Sequence, residues 1–315
     1  MQAAAALVPI ALAALALGYA AVCLAIAWHF TTARRCAPQA FDGRAEQVSF
    51  AARDALARID GWYVAAPEQA PDRPAVVFVH GKDACRGDEL KSSTFALARC
   101  LADAGVAVLM IDLRGHGTSS RSRMTYGERE RFDVLGAVDW LRRRGHTRIG
   151  VLGASMGAST ALLAAAVEPG ILAVVADSPF ADFGLMIERQ YRKQSRLPGF
   201  FLPGALLVGR LLTGVDLRAV RPLDAAPQLA GRSVLVIHSD GDRFVPVEDG
   251  RRLALAMGAQ CWTTPTRGHI GSYRALPSDY TERVLRFFSE VLLRDPSALQ
   301  PPVRAEVPQR ELLAA

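Results

Sequence analysis

A serine in a setting suited to nucleophilic catalysis lies in the segment Gly153-Ala154-Ser155-Met156-Gly157. An apolar run of strand length precedes this segment and a helical pattern follows it, so Ser155 falls on a sharp turn between a strand and a helix. Small neighbours permit such a turn, from which the hydroxyl projects while the N-terminus of the helix favours developing negative charge. An ordinary glycine-rich turn is the alternative, but the strand–turn–helix context favours a nucleophile.

Two further residues could activate this serine, because a hydroxyl is a poor nucleophile until a base takes its proton. His269 lies in the loop between the last predicted strand and the last predicted helix. Asp242 follows the predicted strand that ends at His238, and Asp240 in the same loop is a second candidate for the acid. The chain order serine, aspartate, histidine is typical of hydrolases built on this kind of sheet.

The elements that must position these residues alternate between strands and helices. Apolar runs predict strands at 47–51, 61–65, 75–80, 106–112, 148–153, 172–177, 233–238 and 260–264. Helical patterns lie between them at 90–104, 127–144, 156–167, 247–257 and 278–293. This alternation predicts an α/β fold with a mostly parallel, doubly wound sheet, in which the chemistry gathers outside the carboxyl ends of the strands.

Residues 46–293 resemble the α/β-hydrolase superfamily, and within it the membrane-anchored serine hydrolases with short caps. The resemblance rests on VVFVHGKD, VLMIDLRGHGTSS, IGVLGASMGAS, VLVIHSDGDRFVP and TRGHIGSY, which follow one another in the family's order. By matching position, it implies that Ser155 is the nucleophile, His269 the base and Asp242 the acid that orients the base. The family spaces this acid four residues after the histidine that closes the strand, which favours Asp242 over Asp240.

The resemblance also implies two backbone N–H donors for the oxyanion of a tetrahedral intermediate. Met156, directly after the nucleophile, is one, and Lys82, in the loop after His80 and Gly81, is the other. The sequence departs from the family pattern here, because Lys82-Asp83-Ala84 stands where many relatives carry more glycine. The chemistry implies no cofactor and no metal, and the cysteines and histidines form no metal-ligand pattern.

The first 33 residues have the features of a transmembrane anchor. Met1 to Ala33 contains no Lys, Arg, Asp or Glu, and as a helix the stretch 3–30 would be ~40 Å long, more than the ~30 Å hydrocarbon core requires. A cleaved signal peptide is the alternative, but its basic start and shorter apolar stretch are missing. Four arginines follow between positions 34 and 53, so the positive-inside rule predicts a single-pass protein with its hydrolase domain in the cytoplasm.

Composition excludes several other classes of protein. Half of the residues are hydrophobic and 22% are charged, which excludes a disordered or fibrous chain. The 37 basic residues exceed the 31 acidic ones by too little to indicate nucleic-acid binding, and the arginine clusters are interpreted as solvated faces. Five cysteines without a CxxC pair favour a reducing compartment, and their odd number leaves a single disulfide open.

The chain after the anchor divides into a linker at 34–45, an α/β-hydrolase domain at 46–294 and a loose tail at 295–315. Within the domain, the interval between two strands at about 180–222 is longer than a simple crossover needs and predicts a small helical cap over Ser155. The apolar stretch 197–212 of this cap is expected to line an acyl pocket or to touch the bilayer. An ordinary packed helix plus loop is the alternative.

These features predict a serine hydrolase that cleaves esters or thioesters through an acyl-enzyme on Ser155. Its expected partners are a small acyl ester or lipid substrate and the membrane, with no nucleic acid and no obligate protein partner. A serine peptidase or an acyltransferase could use the same triad. A non-catalytic membrane scaffold and a lipid-binding protein that uses the basic surface are alternatives from other classes.

Overall fold

A computed structural model describes residues 2–34, 36–37, 41, 45–67, 72–90 and 94–293 of the chain. The predicted tail at 295–315 lies outside the described residues, as does most of the predicted linker at 34–45.

The domain is built on an eight-stranded sheet with the spatial order β1-β2-β4-β3-β5-β6-β7-β8. Its strands are β1 (Glu46–Ala51), β2 (Arg58–Val64), β3 (Ala75–Val79), β4 (Ala107–Ile111), β5 (Ile149–Ala154), β6 (Ile171–Asp177), β7 (Ser233–Gly241) and β8 (Gln260–Arg267). Strand β2 is antiparallel to both of its neighbours, and all other neighbouring strands are parallel. The predicted α/β sheet is therefore confirmed.

Helices cover both faces of this sheet. They are α1 (Gln2–Thr31), α2 (Phe95–Asp103), α3 (Arg131–Arg143), α4 (Met156–Val167), α5 (Phe183–Gln194), α6 (Phe201–Thr213), α7 (Pro222–Ala225), α8 (Val247–Met257), α9 (Gly271–Ala275) and α10 (Pro277–Leu292). Apolar residues of α3, α4 and α8 form the core on one face, and those of α2 and α10 form the core on the other. Burial on both faces explains why the central strands read as continuous apolar runs.

Helix α3 begins four residues later than its sequence pattern predicts. The backbone at Tyr126 and Gly127 adopts φ values of 57° and 113°, which lie outside the helical region. The carboxylate of Glu130 accepts hydrogen bonds from the backbone N–H groups of Thr125 and Gly127, at 2.8 Å each. This buried carboxylate stabilises a turn in place of the first helical turn.

The cap at about 180–222 stays a prediction: this interval contains α5 and α6, but the stretch expected to line the pocket does not do so. None of the described residues 197–212 lines the cavity beside Ser155, whose cap-side wall comes from α5. Helix α6 packs instead along α1, where Tyr19 stacks on Phe201 with ring centroids 5.3 Å apart. The first alternative, that 197–212 lines the acyl pocket, is wrong, because small residues of this stretch pack closely against α1. The second alternative, that the stretch touches the bilayer, stays a prediction.

Small side chains line the contact between α1 and α6. Cys23, Ala27 and Thr31 recur every four residues on α1 and are at most 2% exposed. On α6, Ala205, Gly209 and Thr213 are buried at the same four-residue spacing. Small residues let two helix backbones approach closely, which is a common way of packing helices in membranes.

Helix α1 includes Val8–Thr31, which is long and apolar enough to cross a membrane, with a mean hydropathy of 2.4. Beyond its C-terminal end, Cys36 forms a disulfide with Cys85. This pairing differs from the reduced thiols that the cysteine pattern favours, and it joins the segment after α1 to the loop that follows β3.

Candidate active site

Ser155 occupies a strained turn between β5 and α4. Its φ of 53° and ψ of −117° lie in a region that side-chain-bearing residues rarely adopt. The turn requires glycine two residues before and two residues after Ser155. A Cβ on Gly153 would lie 2.3 Å from the carbonyl oxygen of Gly157, and a Cβ on Gly157 would lie 2.2 Å from the carbonyl oxygen of Val79. The hydroxyl is thus presented beside the first turn of α4 at the carboxyl end of the sheet.

The structure brings Ser155, His269 and Asp242 together in one hydrogen-bonded chain. Nε2 of His269 lies 2.7 Å from Oγ of Ser155, and Nδ1 of His269 lies 2.7 Å from Oδ2 of Asp242. Asp240, the other candidate acid, is exposed and lies 3.3 Å from the guanidinium of Arg251. The geometry therefore places Asp242, and not Asp240, behind the histidine.

The environment of Asp242 keeps its carboxylate ionised. Burial raises the pKa of this group, but the contact with Nε2 of His238, 3.6 Å from Oδ2, and the hydrogen bond from His269 outweigh burial and leave the pKa well below its usual range. Oδ1 of Asp242 accepts the backbone N–H groups of Phe244 and Val245 at 2.8 and 3.0 Å. An ionised carboxylate held in this way requires a proton on Nδ1 of His269, so Nε2 is unprotonated and can accept the proton of Ser155.

The two predicted oxyanion donors both border the serine. Met156 is the first residue of α4, where backbone N–H groups have no acceptor within the helix. Lys82 lines the cavities on either side of Ser155, and its ammonium lies 2.7 Å from Oδ2 of Asp83. The side chain of Lys82 is therefore paired within its own loop, which leaves its backbone N–H as the group suited to the oxyanion.

Two buried histidines hold the loop that carries Lys82. His80 contacts the carbonyl oxygen of Gly81 at 2.7 Å through Nδ1 and accepts the N–H of Leu113 at 3.0 Å through Nε2. His116 lies beside it, with ring centroids 4.8 Å apart, and its Nε2 accepts the N–H of Asp83 at 3.4 Å. Burial lowers the pKa of each histidine to about 4, so both rings are neutral at physiological pH and can serve as acceptors for these backbone groups.

Ser155 borders two cavities, which differ in the number of charged residues that line them. The first, of about 120 Å³, is lined mainly by apolar side chains, among them Met156, Phe180, Phe183, Met186 and Ile187. The second, of about 320 Å³, is lined by the charged residues Lys82, Asp83, Asp88 and Glu89, by His269, and by the apolar side chains of Ala84, Phe244 and Ile270. We refer to them as the apolar cavity and the polar cleft. A substrate with one apolar end and one polar end could place its reacting carbon at Ser155 between them.

The residues of α5 that line the apolar cavity were not predicted from the sequence. Phe183, Met186, Ile187 and Gln190 follow one another at helical spacing and thus share one face of α5. This spacing is the signal that could have identified them. Of the other polar residues at strand ends, Asp112 is buried and paired with Arg86 at 2.7 Å, and it stabilises the fold away from the triad.

Comparison with known proteins identifies the family. Residues 74–232 match the family of proteins with the alpha/beta hydrolase fold, over half of the chain. The chain belongs to this family. Its structure is similar to that of the Pyrococcus furiosus esterase Pf2001, with a TM-score of 0.68 and 22% identity over 84% of this chain and 98% of the esterase. At that identity the likeness shows the shared fold alone.

The chain also resembles curated proteins in sequence, among them a bacterial and a human protein. It is 34% identical to the uncharacterized protein YqkD of Bacillus subtilis over 200 residues, which are 62% of this chain and 63% of YqkD. It is 29% identical to human protein ABHD12B over 202 residues, which are 61% of this chain and 51% of ABHD12B. The chain thus matches between about half and just under two thirds of these relatives' length.

Proposed function

We propose that this member of the family is a serine hydrolase that cleaves carboxylic esters or thioesters through an acyl-enzyme on Ser155. The observation that supports this proposal is the hydrogen-bonded chain from Asp242 through His269 to Ser155, placed between the apolar cavity and the polar cleft. The proposal places the acyl group in the apolar cavity and the leaving group in the polar cleft. It assigns residues 1–33 to a membrane anchor and 46–294 to the hydrolase domain.

In the proposed first step, Oγ of Ser155 attacks the carbonyl carbon of the ester while Nε2 of His269 takes the hydroxyl proton. Asp242 stabilises the imidazolium that forms. The carbonyl oxygen becomes an oxyanion, which accepts hydrogen bonds from the backbone N–H groups of Met156 and Lys82. When the bond to the leaving group breaks, His269 returns the proton to the departing alcohol or thiol.

In the second step, a water molecule takes the place of the alcohol. Nε2 of His269 accepts a proton from this water as its oxygen attacks the acyl carbon, and the same donors stabilise the second oxyanion. Collapse of this intermediate releases the carboxylic acid, and the proton on His269 returns to Oγ of Ser155. Every proton transfer passes through Nε2 of His269, which lies 2.7 Å from Oγ of Ser155.

Purified full-length protein in detergent micelles should react with a fluorophosphonate probe and hydrolyse p-nitrophenyl esters. We expect labelling at Ser155 because a fluorophosphonate reacts with a serine that a neighbouring base activates. A panel of esters, thioesters and anilides of the same acyl chain would rank the leaving groups. Lack of both labelling and turnover would contradict a hydrolase and favour a non-catalytic scaffold, whereas anilides cleaved faster than esters would favour a peptidase.

Membrane attachment through α1, with the domain in the cytoplasm, is part of the same proposal. The arginines after α1 support this orientation, because flanking positive charges keep the segment that carries them in the cytoplasm. They act during membrane insertion, before the chain folds and Cys36 approaches Cys85. A disulfide persists mainly in oxidising compartments. In this orientation, the pair shown bonded in the structure is expected to be reduced inside the cell and to form only on oxidation.

The redox state of this pair in cells therefore tests the orientation. After lysis in the presence of a maleimide reagent, we expect Cys36 and Cys85 to be alkylated, and treatment of the cells with a thiol oxidant should protect both. The exposed Cys100 and Cys261 serve as internal controls for labelling. If Cys36 and Cys85 react with the maleimide only after a reductant is added, the domain lies on the oxidising side of the membrane. The positive-inside rule would then give the wrong orientation for this chain.

A further inference from the structure

The apolar cavity beside Ser155 has a wall that the triad chemistry does not require. His29 and Phe30, in the last turn of α1, line this cavity together with residues of α5 such as Met186. The helix that is proposed to anchor the chain therefore also borders the reacting serine.

Several contacts fix the C-terminal end of α1 relative to the site. The hydroxyl of Tyr126 donates to the carbonyl oxygen of Phe30 at 2.7 Å, and the N–H of Met124 donates to that of Thr31 at 2.8 Å. Just beyond the helix, the N–H of Arg34 donates at 2.8 Å to Asp83, which follows Lys82 in the oxyanion loop. Hydrogen bonds from the segment 124–126 and to Asp83 of the oxyanion loop thus fix the position of α1 at the cavity.

A third cavity, of about 370 Å³, continues from the apolar cavity along α1. Its wall on α1 consists of Ala25, Ile26, His29 and Phe30, and the opposite wall consists of Gln190 and Tyr191 of α5 and of Ser195, which follows α5. The two cavities share His29, Phe30 and Gln190. From Phe30 to Ala25 the groove runs ~7 Å along α1, toward the N-terminal part of the helix.

The outer end of this groove lies on α1, whose segment Val8–Thr31 is apolar and largely exposed. Next to α1, helix α6 exposes Leu207 and Leu211, which are 60% and 77% exposed, and Phe200 before it is 61% exposed. On α1 itself, Leu15 and Leu17 are more than 70% exposed. Side chains of this kind suit hydrocarbon, so the groove leads from Ser155 to the surface that would face the bilayer.

We infer that the substrate is an ester with a single long acyl chain that lies in the membrane, and that its chain reaches Ser155 along the groove between α1 and α5. This inference rests on the proposed ester hydrolysis and adds the class of substrate and its route. The chain would occupy the groove and the apolar cavity, while the polar leaving group would lie in the polar cleft on the far side of Ser155. In this arrangement α1 is both the anchor and part of the acyl-binding site.

The test compares a long with a short substrate when the groove is blocked. Ala25→Trp in the full-length protein, in phosphatidylcholine vesicles, places an indole in the groove but at a distance from Ser155. We expect the ratio of kcat/KM for p-nitrophenyl palmitate over p-nitrophenyl butyrate to fall at least about tenfold, because each methylene kept out of an apolar site costs roughly fourfold in affinity. Leu24→Trp is the matched control, since Leu24 lines neither cavity and is 47% exposed on the same helical turn.

The outcomes separate this inference from the proposed function. If Ala25→Trp and Leu24→Trp give the same ratio as the unmodified protein while fluorophosphonate labelling persists, the groove is not the route of the chain, and the ester hydrolase stands. If the unmodified protein is neither labelled nor active on butyrate, the proposed function itself fails. Phe30→Ala tests the inference even if Ala25→Trp does not fold. This substitution widens the part of the groove that both cavities share, so we expect it to raise the ratio of kcat/KM for palmitate over butyrate. An unchanged ratio with Phe30→Ala would overturn the inference.

Discussion

Replacement of Ser155 by alanine should abolish ester hydrolysis and fluorophosphonate labelling without unfolding the protein. The hydroxyl of Ser155 contacts Nε2 of His269, so its removal takes away no packing. Alanine and serine both carry a Cβ, and the substitution therefore adds no strain at the φ of 53°. We expect kcat to fall on the order of 10⁶-fold, as when the nucleophile of such a triad is removed. Initial rates on p-nitrophenyl butyrate and the thermal unfolding midpoint would be measured on the same preparation.

Ser278→Ala provides the matched control for this experiment. Ser278 is exposed near the start of α10, so its loss should affect neither the rate nor the labelling. Labelling of the Ser155→Ala protein at full intensity would place the nucleophile at another residue. A lowered unfolding midpoint for Ser155→Ala would show that the strained turn depends on the hydroxyl, contrary to the contacts around it.

The parts of the site that the sequence predicts are those set by local backbone constraints. Gly153 and Gly157 are needed because neighbouring carbonyl oxygens leave no space for a Cβ, and this requirement makes the turn around Ser155 visible as a motif. The central strands were predicted to within one or two residues because burial on both faces leaves an uninterrupted apolar run. Helices α4 and α8 were predicted with both ends correct.

The parts that the sequence does not predict depend on contacts between distant segments. Tyr19 and Phe201 are separated by more than 180 residues, and no local pattern indicates that α1 pairs with α6. The apolar stretch 197–212 therefore predicts burial or membrane contact equally well, and only the fold assigns the cavity wall to α5. The pairing of Cys36 with Cys85 is unpredictable for the same reason, since five cysteines allow many pairings.

The spacing typical of the family and the geometry of the structure both select Asp242 rather than Asp240 as the acid. Strand β7 continues past His238 to Gly241, with an irregular register between Ser239 and Gly241. The chain turns directly afterwards, and this turn directs Asp242 toward His269 while Asp240 remains on the exposed surface. A count of four residues from His238 predicts the same acid, but it does not reveal the hydrogen bonds that hold Asp242 and join it to His269.

These hydrogen bonds predict a severe effect for Asp242→Asn. Oδ1 of Asp242 accepts two backbone N–H groups, so the oxygen of an asparagine amide would have to occupy that position. Its NH₂ group would then face Nδ1 of His269 and donate to it, which moves the ring proton to Nε2. A protonated Nε2 cannot accept the proton of Ser155, and we expect kcat to fall about 10⁴-fold with little change in KM.

Asp240→Asn is the matched control, because it makes the same chemical change two residues away. Asp240 is exposed and paired only with Arg251 among the described residues, and an exposed ion pair of this kind contributes little to stability. We expect kcat to remain within about twofold of the unmodified value for this variant, since surface substitutions away from a site have small effects. Measurement of kcat and KM on p-nitrophenyl butyrate, with fluorophosphonate labelling rates, would distinguish the two. A severe loss with Asp240→Asn and a mild one with Asp242→Asn would reverse the assignment, because the turn after β7 would then have to present Asp240 to His269 in the active protein.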